Sequence, residues 1–276
     1  MKKIAIFIHI GALQVSVTQP IVDRIMSNLQ ESGLYDAADV IHCGVVGRDL
    51  DLIVLPSKAV IVYKSYDPSV YELPTLNQLR QFSILNPDYN VLYLHSKGAT
   101  NKRCKGINYQ QKWSDVMQYF CIAQHKRCIK LLDEGYKAVG CLLQFNKPSC
   151  PMKLQGAHFC GNMWWATSEH ISTRPHLPPD TSGYGASAEF WIIPQVDSTI
   201  PIASLFNHPY TDYSIPECGG LYGNAIENYE DSQDTVFVYG HPLSPSCVSL
   251  VVTAVLVLTI LLLLILANLH VIISKK

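Results

Sequence analysis

Residues 95–98 carry the side chains that a diphosphate-binding loop needs. His95, Ser96, Lys97 and Gly98 directly follow the apolar run 91–94, which predicts a buried strand. Lysine and histidine supply positive charge, the backbone N–H groups supply hydrogen-bond donors, and the glycine allows the chain to turn. We therefore expect a phosphate site at the end of this strand, and the alternative is an ordinary solvated turn.

A second candidate segment combines two tryptophans with a tight turn. His158, Gly161, Asn162, Trp164 and Trp165 lie close together in a chain that contains only four tryptophans. Indole rings stack well on sugars and bases, and a Gly-Asn turn presents an amide that can bind hydroxyl groups. A sugar-binding segment is one interpretation, and the other is that both indoles simply fill the core.

A third segment places a carboxylate between apolar neighbours. Glu189 is preceded by Ala188 and followed by Phe190 and Trp191. A partly desolvated carboxylate of this kind is suited to act as a general base. The alternative is a surface glutamate on an amphipathic element.

The order of apolar runs and turn-forming residues predicts an α/β fold. The near-continuous apolar run 4–10 is typical of a strand covered on both faces. Pro20 is expected at the start of a first helix and Thr75 as the cap of a second, while helical spacing over 109–132 predicts a third. Alternating strands and helices imply a mostly parallel sheet, which binds ligands at the carboxyl ends of its strands.

Composition excludes several classes of function. The chain has 21 basic and 22 acidic residues and a formal net charge of −1, so no electrostatic case for nucleic-acid binding exists. Its nine cysteines are odd in number and lack a CxxC pair. This pattern predicts reduced thiols in a core rather than a disulfide framework or a zinc site.

The end of the chain predicts a membrane anchor. Residues 248–273 carry no charge and are mostly apolar, which is long enough to cross a bilayer as a helix. We expect a globular domain over 1–226, a neck over 227–246 and one C-terminal transmembrane helix over 247–273. The short apolar stretch near the N-terminus has no cleavage pattern, so the body is expected to face the cytosol.

Taken together, the motifs resemble those of a family of viral and bacterial glycosyltransferases with the GT-A fold. The resemblance covers roughly residues 1–215 and rests on segments that read Tyr71-Glu72-Leu73-Pro74-Thr75-Leu76, Leu92-Tyr93-Leu94-His95-Ser96-Lys97-Gly98, Trp113, His158-Phe159-Cys160-Gly161-Asn162-Met163-Trp164-Trp165-Ala166 and Ala188-Glu189-Phe190-Trp191. It implies a GT-A (Rossmann-like) fold and a nucleotide-sugar donor. The implied activity is transfer of a hexose or deoxyhexose to a hydroxyl of a glycan, glycoprotein or lipid.

The resemblance also suggests a role for each candidate residue. It assigns binding of the donor and its diphosphate to His9, Gly11, His95, Ser96, Lys97 and Gly98. Sugar or acceptor binding falls to His158, Gly161, Asn162, Trp164 and Trp165. Glu189 is the expected base if the reaction inverts the anomeric configuration, and it positions the acceptor if the reaction retains it.

The sequence leaves open whether the protein uses a divalent metal. Many GT-A enzymes hold Mn²⁺ or Mg²⁺ with an Asp-x-Asp motif, but the corresponding position here reads His95-Ser96-Lys97. The literal Asp49-Leu50-Asp51 precedes a strand and is interpreted as a turn. His95 is a candidate metal ligand, and Lys97 is expected to neutralise part of the diphosphate charge. The competing hypothesis is a non-catalytic, membrane-anchored carbohydrate-binding protein with a degenerate glycosyltransferase fold.

Overall fold

The structure is a computed structural model that describes residues 2–96, 109–145, 157–178, 188–193, 200–206 and 237–239. All of them belong to the unit Met1–Gly240. The predicted ligands Lys97 and Gly98, the neck 227–246 and the transmembrane segment 247–273 lie outside the described residues. Within the described part of the chain, no helix is both long enough and apolar enough to cross a membrane.

The described residues form a large sheet and a separate hairpin. The strands are β1 (Lys3–Gly11), β2 (Val40–Val46), β3 (Ala59–Ser65), β4 (Tyr89–His95), β5 (Ala138–Gly140), β6 (Leu143–Phe145), β7 (Ala157–Phe159), β8 (Trp164–Thr167), β9 (Ile202–Ser204) and β10 (Phe237–Tyr239). The order in the large sheet is β10-β9-β5-β8-β4-β1-β2-β3, and β6 pairs with β7 in the hairpin.

Most of the sheet is parallel. Strands β3, β2, β1 and β4 run in one direction, as do β5 and β9. Strand β8 runs antiparallel between β4 and β5, and β10 runs antiparallel to β9. The predicted Rossmann-like α/β architecture is therefore confirmed, while the narrower GT-A assignment stays a prediction.

Helices cover both faces of the sheet. The described helices are α1 (Val15–Glu31), α2 (Leu34–Ala37), α3 (Leu73–Leu85), α4 (Tyr109–Gln118), α5 (His125–Asp133) and α6 (Ser168–Ser172). A π-helical turn, Tyr119–Ala123, joins α4 to α5, and short 3₁₀ turns occur at Leu50–Leu52 and Pro68–Val70.

Alternation along the strands divides the core into two layers. Ile6 and Ile8 of β1 pack with α1, α4 and α5, whereas Ala5 and Phe7 of the same strand pack with α3 and α6. This division follows from the pleat, which points successive side chains to opposite faces. Five cysteines are described, and all are buried thiols outside any disulfide, as the composition predicts.

The chain reverses its direction of travel across the sheet between β1 and β4. It first proceeds from β1 outward through β2 to β3, then crosses back to place β4 on the other side of β1. The carboxyl ends of β1 and β4 therefore lie at the reversal point. We refer to this end of the sheet as the crevice, because open α/β sheets bind ligands there.

Two predicted helix starts are wrong, each for a tertiary reason. Helix α1 begins at Val15 rather than at Pro20, because the Asp49 carboxylate accepts the Val15 N–H at 2.9 Å and holds the first turn. Helix α3 begins at Leu73 with Pro74 in its first turn, so Thr75 lies inside the helix and does not cap it. The Thr75 hydroxyl is instead engaged with β1.

Gly44 allows the start of α3 to approach the sheet closely. It lies in β2 directly beside His9 of β1. A Cβ at this position would lie only 2.0 Å from Thr75 Oγ1 and 2.9 Å from Thr75 Cβ. The absent side chain therefore leaves the space that Thr75 fills.

Replacing Gly44 with alanine should push α3 away from the sheet. We expect Gly44→Ala to lower the free energy of unfolding by about 1–3 kcal/mol, as overpacking of a filled core does. Urea unfolding measures the change. The same substitution in a Thr75→Gly background should cost clearly less, and an equal cost in both backgrounds would contradict the proposed contact.

Candidate functional site

The ends of β1 and β4 are joined by hydrogen bonds at the crevice. His9 and His95 are direct neighbours in the parallel register. The Ser96 N–H donates to the His9 carbonyl at 2.9 Å, and the Gly11 N–H donates to Ser96 Oγ at 2.8 Å. His9, Gly11, His95 and Ser96, which the sequence assigns to the donor, therefore meet at one edge of the sheet.

The first turn of α3 closes over this edge. Thr75 Oγ1 lies 2.9 Å from His9 Nδ1 and joins the helix to β1. Glu72, the residue before the helix, is half-buried and reaches β4 through its carboxylate. A carboxylate at a helix N-terminus is electrostatically favoured, because the unpaired N–H groups there carry partial positive charge.

The Glu72 carboxylate links three segments of the chain. Its Oε2 accepts a hydrogen bond from the Tyr93 hydroxyl at 2.6 Å and a second from Asn162 Nδ2 at 2.9 Å. The Asn162 side-chain oxygen in turn accepts from Trp164 Nε1 at 2.8 Å. Because an indole N–H can only donate, this last bond fixes which end of the amide faces Glu72.

His95 ties the Gly161–Asn162 turn to β4. Its Nε2 is hydrogen-bonded to the Gly161 carbonyl, which can only accept. Nε2 therefore carries a proton, and only Nδ1 of His95 could coordinate a metal ion. We refer to His9, Glu72, Thr75, Tyr93, His95 and Asn162 as the rim cluster.

Backbone strain is concentrated next to the rim cluster. The described non-glycine residues with positive φ are Tyr71 at 48°, Leu142 at 55° and Asn162 at 55°. Tyr71 immediately precedes Glu72, and Leu142 accepts a backbone hydrogen bond from Cys160, beside the Gly161–Asn162 turn. Such conformations cost about 1–3 kcal/mol each and persist only where the surrounding structure enforces them.

The rim cluster contains a neutral imidazole and a protonated phenol. Burial lowers the pKa of His9 from 6.5 to about 4, with Glu72 opposing the shift and His95 adding to it. Burial, followed by the charge of Glu72 and the hydrogen bond to it, raises the pKa of Tyr93 well above its ordinary value. At neutral pH His9 therefore adds no positive charge to the crevice.

The two adjacent tryptophans lie on opposite faces of the sheet. Trp164 packs in the layer of α3 and stacks on Tyr93 with ring centroids 5.1 Å apart. Trp165 packs in the other layer, where its Nε1 donates to the Cys121 carbonyl of the π turn at 2.7 Å. Both rings are fully buried. Trp164 supports the rim cluster, whereas Trp165 has the position of a core side chain.

Asn162 is also buried, and both ends of its amide bond to protein groups. The structure therefore places it as a link between Glu72 and Trp164. Glu72 is the acidic group that joins Asn162 to Tyr93. The sequence motifs suggested no role for it.

The segment around Glu189 packs beside the second motif. Phe190 contacts His158 with ring centroids 4.5 Å apart, and Trp191 lies 6.3 Å from Trp164 by the same measure. The segment is anchored by hydrogen bonds of 2.8 Å from Trp191 Nε1 to Pro175 and from His170 Nε2 to Ile192. Glu189 itself is half-buried. The second and third motifs are therefore spatial neighbours.

The start of α1 differs from a dinucleotide-binding turn. In such folds the N-terminus of the first helix receives a phosphate. Here the Asp49 carboxylate accepts the Val15 N–H and occupies that place. The Asp49-Leu50-Asp51 segment forms a 3₁₀ turn, as the sequence predicts. The N–H of Val15 is therefore already paired within the protein.

The described part of the chain contains no cluster of side chains arranged to bind a divalent metal. No group of three or more His, Cys, Asp or Glu side chains there is arranged to hold an ion. The Nε2 atom of His95 is already committed to Gly161.

Three residues of the rim cluster were not predicted as site residues from the sequence. Glu72, Thr75 and Tyr93 all belong to the resemblance motifs, but only long-range pairing shows what they do. Glu72 meets Tyr93 across 21 positions and Asn162 across 90. The one local signal was a carboxylate two residues ahead of Pro74, where a helix was expected.

Comparison with known proteins identifies the family. Residues 18–177 match the family described as a domain of unknown function (DUF8361). The chain belongs to this family. Comparison with curated proteins gave no match.

Among solved structures, the chain is similar to the crystal structure of 4-diphosphocytidyl-2C-methyl-D-erythritol synthase from Anaerococcus prevotii DSM 20548. The two share 12% sequence identity over 82% of this chain and 96% of that chain, with a TM-score of 0.38. A likeness of this size adds nothing to the argument about function.

Neutral His9 should make stability depend on pH. Because its pKa falls from 6.5 to about 4 on folding, the unfolded chain binds more protons between these values. Stability is therefore complete above pH 6.5 and is lost as the pH falls toward 4, by at most about 3 kcal/mol.

The His9→Gln variant should show a shallower pH dependence of the unfolding free energy between pH 4 and 6.5, measured with urea. His170→Gln should flatten the curve in the same window and serves as a positive control, because burial also lowers the pKa of His170 to about 4. Parallel curves for wild type and His9→Gln would show that His9 does not titrate in this way.

Proposed function

We propose that this protein is a membrane-tethered glycosyltransferase that moves a sugar from a nucleotide-diphosphate donor to a hydroxyl acceptor. The observation that carries the proposal is the convergence of three motifs that are far apart in the sequence. His95 contacts Gly161, Phe190 contacts His158, and Trp191 lies near Trp164. Contacts therefore connect the three motifs, and the first of them lies at the reversal point of an α/β sheet, where such folds bind ligands.

The chemistry of sugar transfer determines what the site must supply. A new bond forms between the acceptor oxygen and the anomeric carbon, while the bond from that carbon to the diphosphate breaks. The diphosphate leaves with the electron pair, and the acceptor hydroxyl gives up its proton. The site must therefore stabilise negative charge on the leaving group, position the acceptor and receive a proton.

The candidate residues can be assigned to these tasks. Lys97, which directly follows Ser96, is proposed to neutralise the departing diphosphate, because His9 is neutral at pH 7. Glu189 is proposed to take the acceptor proton if configuration is inverted, and to position the acceptor if it is retained. Its segment is held rigidly by Trp191 and Ile192, as a catalytic carboxylate requires.

Replacing Glu189 tests its assigned role. We expect Glu189→Gln to lower kcat by about 100-fold or more while leaving donor affinity within a factor of about two, because only proton transfer or acceptor placement is removed. Glu169→Gln is the matched control, since Glu169 is an exposed glutamate on α6 paired with Lys137. Unchanged turnover in Glu189→Gln would remove this residue from the mechanism.

A panel of nucleotide sugars tests the proposed activity as a whole. The full chain, in detergent, is heated with UDP-, GDP- and dTDP-sugars, with and without Mn²⁺. A donor present at about 100 times its Kd should stabilise the fold by about 3 kcal/mol and raise Tm.

The same panel is then assayed for sugar release and transfer in excess EDTA. Full activity there would exclude an essential exchangeable metal. Tight sugar binding without any turnover would favour the carbohydrate-binding alternative, and no stabilisation by any nucleotide sugar would refute the transferase proposal.

A further inference from the structure

Among the described residues, Glu72 is hydrogen-bonded through only one of its two carboxylate oxygens. The hydroxyl of Tyr93 and the amide of Asn162 both donate to Oε2. From the described residues, Oε1 receives no hydrogen bond, and the side chain is half-buried rather than enclosed. The residue is therefore held firmly on one side while its other oxygen remains available at the crevice.

Two strained residues hold this carboxylate in place. Tyr71, with φ 48°, directly precedes Glu72, and Asn162, with φ 55°, donates to it. Glu72 itself has ordinary helical dihedrals, φ −88° and ψ −2°, so the strain lies in the residue before it and in its partner Asn162. Strain of this kind gathers at sites where a group must be held in position before a ligand arrives.

The surroundings of Oε1 select a particular ligand chemistry. A carboxylate oxygen can only accept hydrogen bonds, so it repels phosphate oxygens and attracts O–H groups. The adjacent His9 is neutral at pH 7 and does not offset the charge. A hydroxyl group therefore suits Oε1, and the many hydroxyls of a sugar or a ribose provide one.

We propose that Glu72 binds a hydroxyl group of the substrate through Oε1, with Tyr93 and Asn162 holding the carboxylate in the binding orientation. The identification of that substrate as a nucleotide sugar rests on the proposed function. The hydroxyl-binding role itself requires only a polyhydroxylated ligand at the crevice.

The variant Glu72→Gln tests ligand binding by Oε1 separately from the internal hydrogen bonds of Oε2. Its amide oxygen can take the place of Oε2 and accept from Tyr93 and Asn162 as before, which turns the NH₂ group toward the ligand. The internal hydrogen bonds then survive, and the outward acceptor is lost. We expect Tm to stay near that of wild type while ligand affinity falls about 10-fold or more, as for a lost hydrogen bond to a charged group.

The double variant, which combines Glu72→Gln with Asn162→Asp, turns the amide around. The carboxylate introduced by the second substitution can still accept from Trp164 Nε1, and its other oxygen attracts the NH₂ group of the glutamine inward. The amide oxygen then faces the ligand. We expect the double variant to bind more tightly than Glu72→Gln and more weakly than wild type, because the outward acceptor is restored without its charge.

Isothermal titration of the full chain in detergent measures both variants. The probes are the nucleotide sugars of the thermal panel, the matching nucleoside diphosphates and the free sugars. Loss of affinity for all nucleotides would identify a ribose hydroxyl, and loss confined to compounds with the transferred sugar would identify a sugar hydroxyl. Either result supports the proposal.

Three results would overturn it. The first is wild-type affinity in both variants, which would leave Glu72 with a positioning role alone. The second is equal affinity of the two variants below wild type, since reversal of the amide would then have no effect. The third is failure of the wild-type protein to bind any probe. Binding of free sugars without nucleotide sugars would instead refute the transferase and leave the role of Glu72 supported.

Discussion

The contact between the first turn of α3 and the carboxyl edge of the sheet is the constraint on which the candidate site depends. It exists because Gly44 has no side chain, so that Thr75 can fill the space above β2 and reach His9. The same approach brings Glu72 to Tyr93 and, through Asn162, to the turn before β8. One packed helix end thereby fixes the relative positions of two parallel strands and an antiparallel one.

This arrangement has electrostatic and conformational costs that the rest of the fold must offset. Burial keeps His9 uncharged at neutral pH, and two residues next to Glu72 adopt a left-handed backbone conformation. The two apolar layers of the sheet provide the stabilisation, since each fully buried large aliphatic side chain contributes roughly 1.5–3 kcal/mol. The crevice is thus rigid on its α3 side. Rigidity of this kind is useful where a ligand must find its partners already oriented.

Strand alternation explains why two neighbouring tryptophans serve different purposes. Trp164 faces α3, stacks on Tyr93 and donates a hydrogen bond that fixes the amide of Asn162. Trp165 faces the opposite layer and satisfies a carbonyl of the π turn. The tryptophan pair is conspicuous in the sequence. The carboxylate that links Tyr93 to Asn162 belongs to Glu72, whose neighbours in the sequence do not single it out.

Local sequence patterns predicted the α/β class, the first strand, the strand before His95 and the tight turn at Gly161–Asn162, because strand and turn preferences depend on neighbouring residues. The starts of α1 and α3 were placed wrongly. Asp49 holds the first turn of α1 from outside the local pattern, and Thr75, expected as a cap, instead engages His9 of β1. The fold alone revealed which face of the sheet each indole occupies and which groups donate to the Glu72 carboxylate. Those outcomes depend on the register and packing of segments up to 90 positions apart, and no local preference encodes them.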